Sequence, residues 1–382
     1  MSEYQYYEWQ TVDRILTIEE QSAVHRLSSH IDVSSSQAVV TYNWSDFKHD
    51  PKEVLLKYFD AHFYLANWGS LRLMFRFPQG LIDEADIEPY CVDEYISFET
   101  NGQYQVLDLA FNPEDGGGWM KAEASLSQFI RLRDDILEGD YRLLYLAWLK
   151  AMPSYGVPDA EEYADDDPDH PAYDLEPPLP PGLKKLSPAL QSFVRVFEIN
   201  PFLVQAAAEA SPDPKQALAV DYRDLASRLP RAEADDFLAR LAGGDSGVGL
   251  ALRKRLAAFL PQTKHPPAAQ PRTIQQLLHR AERLEKAEQK RQAEAARKQH
   301  IAEMKALAAR EEQTWKKVED LLDNGRKIAS VYDEATGLLE QLKQLSEFQD
   351  TRDIFQRRLR RLAEKYAARS ALMGRWHTRG WI

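Results

Sequence analysis

Apolar and polar positions change period several times along the chain, and each change predicts a different element. Leu71, Leu73, Phe75 and Phe77 alternate with Arg72, Met74 and Arg76, the two-residue period of a strand. Ala38 to Tyr42 also reads as a strand. Tyr95 to Glu99 and Tyr104 to Phe111 read as two more, joined by Asn101-Gly102, a strong short-range hairpin signal. Asp50 as N-cap and Pro51 at the first helical position predict a helix from Pro51 to Asp60. An aromatic strand, Phe63 to Gly69, follows it. Gly116-Gly117-Gly118 predicts a flexible break. The apolar spacing from Leu126 to Leu149 then predicts one or two helices, interrupted at Gly139. Residues 1–150 are therefore expected to form an aromatic-rich α+β domain with an antiparallel sheet.

Beyond it the pattern turns helical. Residues 151–182 hold Asp165-Asp166-Asp167-Pro168-Asp169 and Pro177-Pro178-Leu179-Pro180-Pro181, and predict an acidic, proline-rich linker. Ser187-Pro188, Asn200-Pro201 and Ser211-Pro212 each set an N-cap residue before a proline, so 183–261 reads as a small helical domain. A second linker is expected at 262–272. Thr273 then caps a long charged helix over 273–312. Its apolar stripe fades between Lys286 and His300 into Ala, Glu, Lys, Arg and Gln, which favours a solvated single helix over a coiled coil. Trp315, Val318, Leu322, Tyr332, Leu339, Phe355 and Leu359 restore apolar spacing and predict a helical hairpin or three-helix module over 313–370, with a tail at 371–382. The fold class is thus a multidomain chain, α+β first and mostly α-helical afterwards, with one long charged helix.

Charge sharpens this division. The net charge of −12 is a sum of unlike parts: residues 1–180 carry 12 basic and 34 acidic side chains, a net of −22, and residues 181–382 carry 36 and 26, a net of +10. The single cysteine, Cys91, excludes an intramolecular disulfide framework and a cysteine-rich zinc site. No apolar run approaches the length of a membrane span, and the opening Met1-Ser2-Glu3-Tyr4 lacks the basic and apolar regions of a secretory signal. A cytoplasmic protein without a membrane role is expected.

Candidate chemistry is sparse. No phosphate-binding GxxxxGK[ST] loop, GxGxxG turn, HExxH, GxSxG or EF-hand pattern occurs. No cofactor or metal site is expected. Cys91 reads as a small buried hydrophobe. The only acid–base pair worth weighing is Asp60 and His62, because a carboxylate can orient and charge an imidazole, and residues two apart on a strand face one side. Between Arg352 and Arg379 nine basic residues face only Asp353 and Glu364. Arg357, Arg358, Arg361, Lys365 and Arg369 could form a binding face, with Trp376 and Trp381 as stacking surfaces for nucleic acid or as anchors for a protein. Of Trp44, Trp68 and Trp119, at least two are expected in the core.

The opening Tyr4-Gln5-Tyr6-Tyr7-Glu8-Trp9-Gln10 with Asp13-Arg14, and the block Lys57-Tyr58-Phe59-Asp60-Ala61-His62 through Leu65-Ala66-Asn67-Trp68-Gly69, resemble an uncharacterised bacterial protein family over most of the chain. The segment from Trp315 through Val318-Glu319-Asp320-Leu321-Leu322, Tyr332-Asp333-Glu334-Ala335, Leu338-Leu339 and Arg361-Leu362 resembles the C-terminal helical module of bacterial SWIM-type zinc-finger proteins. That module covers about 60 residues here and comes without the cysteines of the zinc motif, so the resemblance implies an interaction module and no zinc. Together these readings point to a non-enzymatic scaffold or adaptor bridging protein partners in a bacterial cytoplasmic complex. The alternatives are a nucleic-acid-associated accessory protein of a defence or DNA-handling complex that uses the basic C-terminal face, and an enzyme, metal-dependent or acid–base, centred on Asp60 and His62.

Overall fold

The computed structural model describes residues 3–112, 124–152, 175–213, 222–244, 248–259, 272–324 and 328–382. The glycine break at 116–118, Trp119, the aspartate run at 165–169 and most of the second linker lie outside them. The chain divides into two compact units, Met1–Glu285 and Lys286–Ile382. Among the described residues no helix is long and apolar enough to cross a membrane.

The first unit is built on one seven-stranded sheet: β1 (Gln5–Gln10), β2 (Asp32–Val33), β3 (Gln37–Tyr42), β4 (Ala61–Ala66), β5 (Leu71–Pro78), β6 (Ile96–Asn101) and β7 (Tyr104–Phe111), in the order β2-β3-β1-β4-β5-β7-β6. Every neighbouring pair is antiparallel. The β6–β7 hairpin pairs Asn101 with Tyr104, and Gly102 takes the left-handed φ of 59° that its turn requires. Sequence reading missed β1, because Gln5 and Glu8 interrupt its apolar pattern; both polar side chains are buried.

Both faces of the sheet are covered. On one, Phe63, Leu73, Phe75, Leu107, Leu109 and Phe111 pack under α4 (Arg131–Leu137), α5 (Arg142–Ala151), α6 (Pro188–Val196) and α7 (Pro201–Ala210). Gly139, at φ 82°, separates α4 from α5. On the other face Tyr7, Trp9, Val40, Met74 and Val106 pack under α1 (Ile18–His25) and α2 (Pro51–Tyr58). Three caps are as expected, with Asp50 accepting from Lys52 N at 2.8 Å and Ser187 and Asn200 capping α6 and α7, whereas Ser211 ends α7 and its hydroxyl accepts from Leu183 N. A four-residue helix, α3 (Glu84–Ile87), precedes β6. Helices α8 (Tyr222–Ser227), α9 (Arg231–Ala242) and α10 (Val248–Ala257) complete the unit together with the first turns of α11 (Ile274–Ala308).

Two expected boundaries disappear in this packing. Helices α6 and α7 share the core of the sheet, with Phe197 lying 5.7 Å from Phe111 and 6.1 Å from Phe129 between ring centroids, so this segment is not a separate domain. The last residues of the expected 151–182 linker are packed as well. Tyr90 donates to Pro178 O at 2.7 Å, and buried Glu176 receives Tyr145 Oη and, at 2.5 and 2.8 Å, Arg272. Prolines without free N–H groups can line a core edge once their carbonyls find donors elsewhere, which composition alone does not reveal.

In α11, Thr273 and Gln276 exchange side-chain-to-backbone hydrogen bonds at 3.2 Å, a capping box. Leu277 and Ala281 belong to the first unit's core. The second unit takes the rest of α11 with α12 (Glu311–Asn324), α13 (Ala329–Phe348), α14 (Arg352–Lys365) and α15 (Ser370–Thr378). Its core joins Trp315, Val318, Leu322, Leu339, Leu359, Leu372, Trp376 and Trp381. The expected tail is thus a core helix: Leu372 and Trp376, four residues apart, both point inward.

Candidate functional site

The alternation along β1, β4 and β5 sets polar side chains in rows across the α2-covered face. Tyr7 pairs with Tyr64, Tyr64 with Arg72, and Arg72 with Ala110; in the next row Trp9 pairs with His62, His62 with Met74, and Met74 with Asp108. Where α2 begins, Trp9 Nε1 donates to Pro51 O at 3.1 Å and seats the helix on the sheet. Beside that contact lies a cavity of about 260 Å³ lined by Tyr7, Pro51, His62, Tyr64, Arg72 and Asn112.

Its hydrogen bonds leave a specific set of atoms free. The hydroxyls of Tyr7 and Tyr64 both donate to Gln5 Oε1, at 2.8 and 3.0 Å, and Gln5 Nε2 donates to Asp46 at 2.7 Å. Arg72 is bidentate to Asp108 through Nε at 2.9 Å and Nη2 at 2.6 Å. His62 is fully buried, with Nδ1 3.0 Å from Glu8 O. A carbonyl only accepts, so Nδ1 carries the proton. Nε2 is then an acceptor, and it has no partner among the described residues. Burial, aided by the charge of Arg72, lowers the His62 pKa to about 3, so the ring is neutral near pH 7. Burial likewise raises the pKa of both tyrosines.

Asp60 and His62 do not work as a pair. Asp60 is 3% exposed and already accepts from Arg76 Nη2 at 2.7 Å, Val12 N at 2.7 Å and Asp13 N at 3.2 Å. Burial alone would raise its pKa, but the charge of Arg76 and these donors outweigh it and hold it below the usual carboxylate range. Arg76 also donates to Leu56 O, and Arg133, 1% exposed, pairs with Asp13 at 2.6 Å. Asp60 is thus the centre of a buried ionic network that ties strands to helices. Among the described residues no group of three His, Cys, Asp or Glu side chains is placed to hold a metal ion. Cys91 is half-buried, and its thiol pKa is raised by burial.

The basic C-terminal residues divide into two sets. Arg358 lies 4.4 Å over the Trp315 ring and pairs with Glu312; Lys365 pairs with Asp323 at 2.8 Å; Arg369 donates to Leu322 O at 2.6 Å. Trp376 is fully buried, with Nε1 3.3 Å from Thr336 Oγ1, so it is a core residue and no stacking surface. Arg357, Arg360 and Arg361 remain exposed on α14. Trp44, expected as a core candidate, is 73% exposed, and Trp68 is half-buried.

Sequence reading missed Tyr7, Tyr64 and Arg72. The available signal was two arginines, Arg72 and Arg76, inside the otherwise apolar strand β5; the pairing that brings two tyrosines beside Arg72 spans three strands. No family model, no curated protein and no solved structure matches this chain, so the resemblances above rest on the quoted segments alone.

Proposed function

We propose that this chain is a non-enzymatic adaptor that brings cytoplasmic protein partners together, with contact surfaces on each of its two compact units. The observation that carries this reading is the middle of α11, where every residue from Arg291 to His300 is exposed. Ten successive exposed residues contribute little core, and the ring contact they make among the described residues is at their end, where His300 lies 6.3 Å from Phe348. The segment is held by helix propensity and by close pairs such as Arg291 with Glu288, 2.8 Å apart. Such a segment serves to connect. The fate of the enzymatic candidates supports the same reading, since the carboxylate of Asp60 is already occupied and His62 is neutral and closed off.

For the basic face a protein partner is favoured over nucleic acid. With Trp376 in the core and Arg358, Lys365 and Arg369 engaged within the unit, Arg357, Arg360 and Arg361 offer a small charged patch with no stacking platform, which suits an acidic protein surface better than a phosphate backbone.

The test is affinity capture of full-length protein from its host cells, with and without nuclease, for three forms: unsubstituted, Trp44→Ala, and Arg357→Glu with Arg361→Glu. Two partner sets are expected, each lost in one variant and neither changed by nuclease. A single shared set, or loss of capture on nuclease treatment, would overturn the adaptor reading.

A further inference from the structure

Helix α9 is amphipathic by sequence, yet its apolar side faces solvent. At 3.6 residues per turn, Ala234, Phe237, Leu238 and Leu241 fall on one stripe about 100° wide, the pattern of a helix that packs on a core. None of the twelve residues of α9 is buried. Leu238 and Leu241 are each 62% exposed, and Ala234 and Phe237 are half-buried. A helix of this length is marginal in water without a packed face, so the bare stripe calls for a cover.

The surroundings of the stripe narrow what that cover is. Its charged residues are already neutralised within the chain: Arg231 pairs with Asp235 at 3.1 Å, Arg240 with Asp236 at 3.9 Å, and Glu233 with Arg255 of α10 at 2.8 Å. A strongly charged partner therefore finds no complement here. An anionic bilayer is excluded too, because helices that lie on one carry Lys and Arg on the polar side, where α9 has three acidic residues against two arginines.

The spacing selects a partner. Successive stripe residues are three, one and three positions apart, so the stripe reads the same from either end. An antiparallel copy centred between Phe237 and Leu238 meets it in register. Ala234 then faces Leu241 of the second copy at both ends, a small side chain against a large one, and the two Leu238 side chains meet beside the two-fold axis with Phe237 next to them. We propose that α9 pairs antiparallel with α9 of a second copy of this chain, with Ala234, Leu238 and Leu241 as the contact. Two helices of this length stay below the roughly 1,200 Å² that separates weak from standard interfaces, so half-dimerisation is expected on the order of 100 µM. An association of that strength counts when other contacts already hold two copies close, because linkage raises their effective concentration. The inference concerns the first unit alone and does not depend on the adaptor reading, since the purified chain tests it without any other protein.

Sedimentation equilibrium of the full chain between about 1 and 300 µM should show the average mass rising from that of one chain toward that of two. Leu238→Gln with Leu241→Gln should weaken the association at least about ten-fold. Its unfolding midpoint at about 1 µM should match that of the unsubstituted chain, because both side chains are exposed in the single copy. Cross-linking tests the direction. In a Cys91→Ser chain, Ala234→Cys with Leu241→Cys should oxidise to a covalent dimer. Ala234→Cys alone should do so at least about ten-fold less, since its two copies lie seven residues, about 10 Å, apart along the axis. A mass of one chain throughout, a dimer that survives the two leucine substitutions, a midpoint lowered by them, or equal cross-linking by Ala234→Cys alone overturns the proposal.

Discussion

Arg133 donates from Nε to the carbonyl oxygen of Arg76 at 3.0 Å, so the helix carrying one buried guanidinium holds the strand carrying another. Asp13 and Asp60 neutralise these two arginines, at 2.6 and 2.7 Å. Each guanidinium has its own carboxylate and one carbonyl acceptor, Leu56 O for Arg76 and Arg76 O for Arg133, which offsets the cost of burying two like charges, although the buried Arg76 Nε has no partner among the described residues.

Removing one charge from this network should be costly, and removing a pair much less so. Asp60→Asn is expected to destabilise the chain by about 3–5 kcal/mol because it leaves Arg76 buried and uncompensated, while Asp60→Asn with Arg76→Met should recover part of that loss. Denaturant midpoints at pH 7 measure both. A double variant no more stable than the single one would refute the pairing. The folded pKa of Asp60 is depressed, so its contribution is present above the ordinary carboxylate pKa of about 3.9 and lost as pH falls through the folded value. The double variant should therefore lose less stability than the unsubstituted chain as the pH falls below about 4.

His62 acts in a different acid window. An unfolded imidazole takes up a proton near pH 6.5, whereas the folded one does so only near about 3. Between those values the unfolded chain holds the extra proton. Stability from this group is complete above about pH 6.5 and falls by up to about 1.4 kcal/mol per pH unit below it. Unfolding free energies of the unsubstituted chain and His62→Gln at pH 7, 6, 5 and 4 should diverge in slope; parallel curves would show that the ring titrates normally.

In the second unit, Trp376→Ala should cost about 3–5 kcal/mol, the range for emptying a large aromatic site in a core. Near-UV circular dichroism during denaturation reports it. A loss below about 1 kcal/mol would mean that the ring is not packed as described.

The arginines of α14 should separate by what they touch. Arg361→Ala is expected to change stability by less than about 0.5 kcal/mol, as for an exposed side chain away from special features. Arg358→Ala should cost about 1 kcal/mol, because its guanidinium covers Trp315 and holds Glu312. Equal effects on the denaturation midpoint would contradict this distinction.

Much of the local structure was legible because its causes are local. The alternation at Leu71 to Phe77, the Asn101-Gly102 turn, the caps at Asp50, Ser187, Asn200 and Thr273, and the stripe fading along α11 each depend on residues within a few positions. The candidate site was half legible. Asp60 and His62 stood out as an acid and an imidazole two apart, but their roles depend on partners elsewhere: Arg76 for one, the backbone of Glu8 for the other. The tail misled because Trp376 and Trp381 look like exposed aromatics when the helix that receives them is unknown.

The sequence by itself determined an antiparallel α+β head, a helical remainder and a charged helix whose middle carries no apolar stripe, since backbone sterics, capping and side-chain periodicity act over one or two turns. Only the tertiary structure decided that helices from both sides of the 153–174 segment close over one sheet face, and that Glu8 receives the amide of Leu126, 118 residues away. It likewise seated Trp376 against Thr336, 40 residues distant. Strand order β2-β3-β1-β4-β5-β7-β6 sets which buried polar groups meet. That order follows from satisfying donors and filling a core across the whole unit, which no short window of the chain encodes.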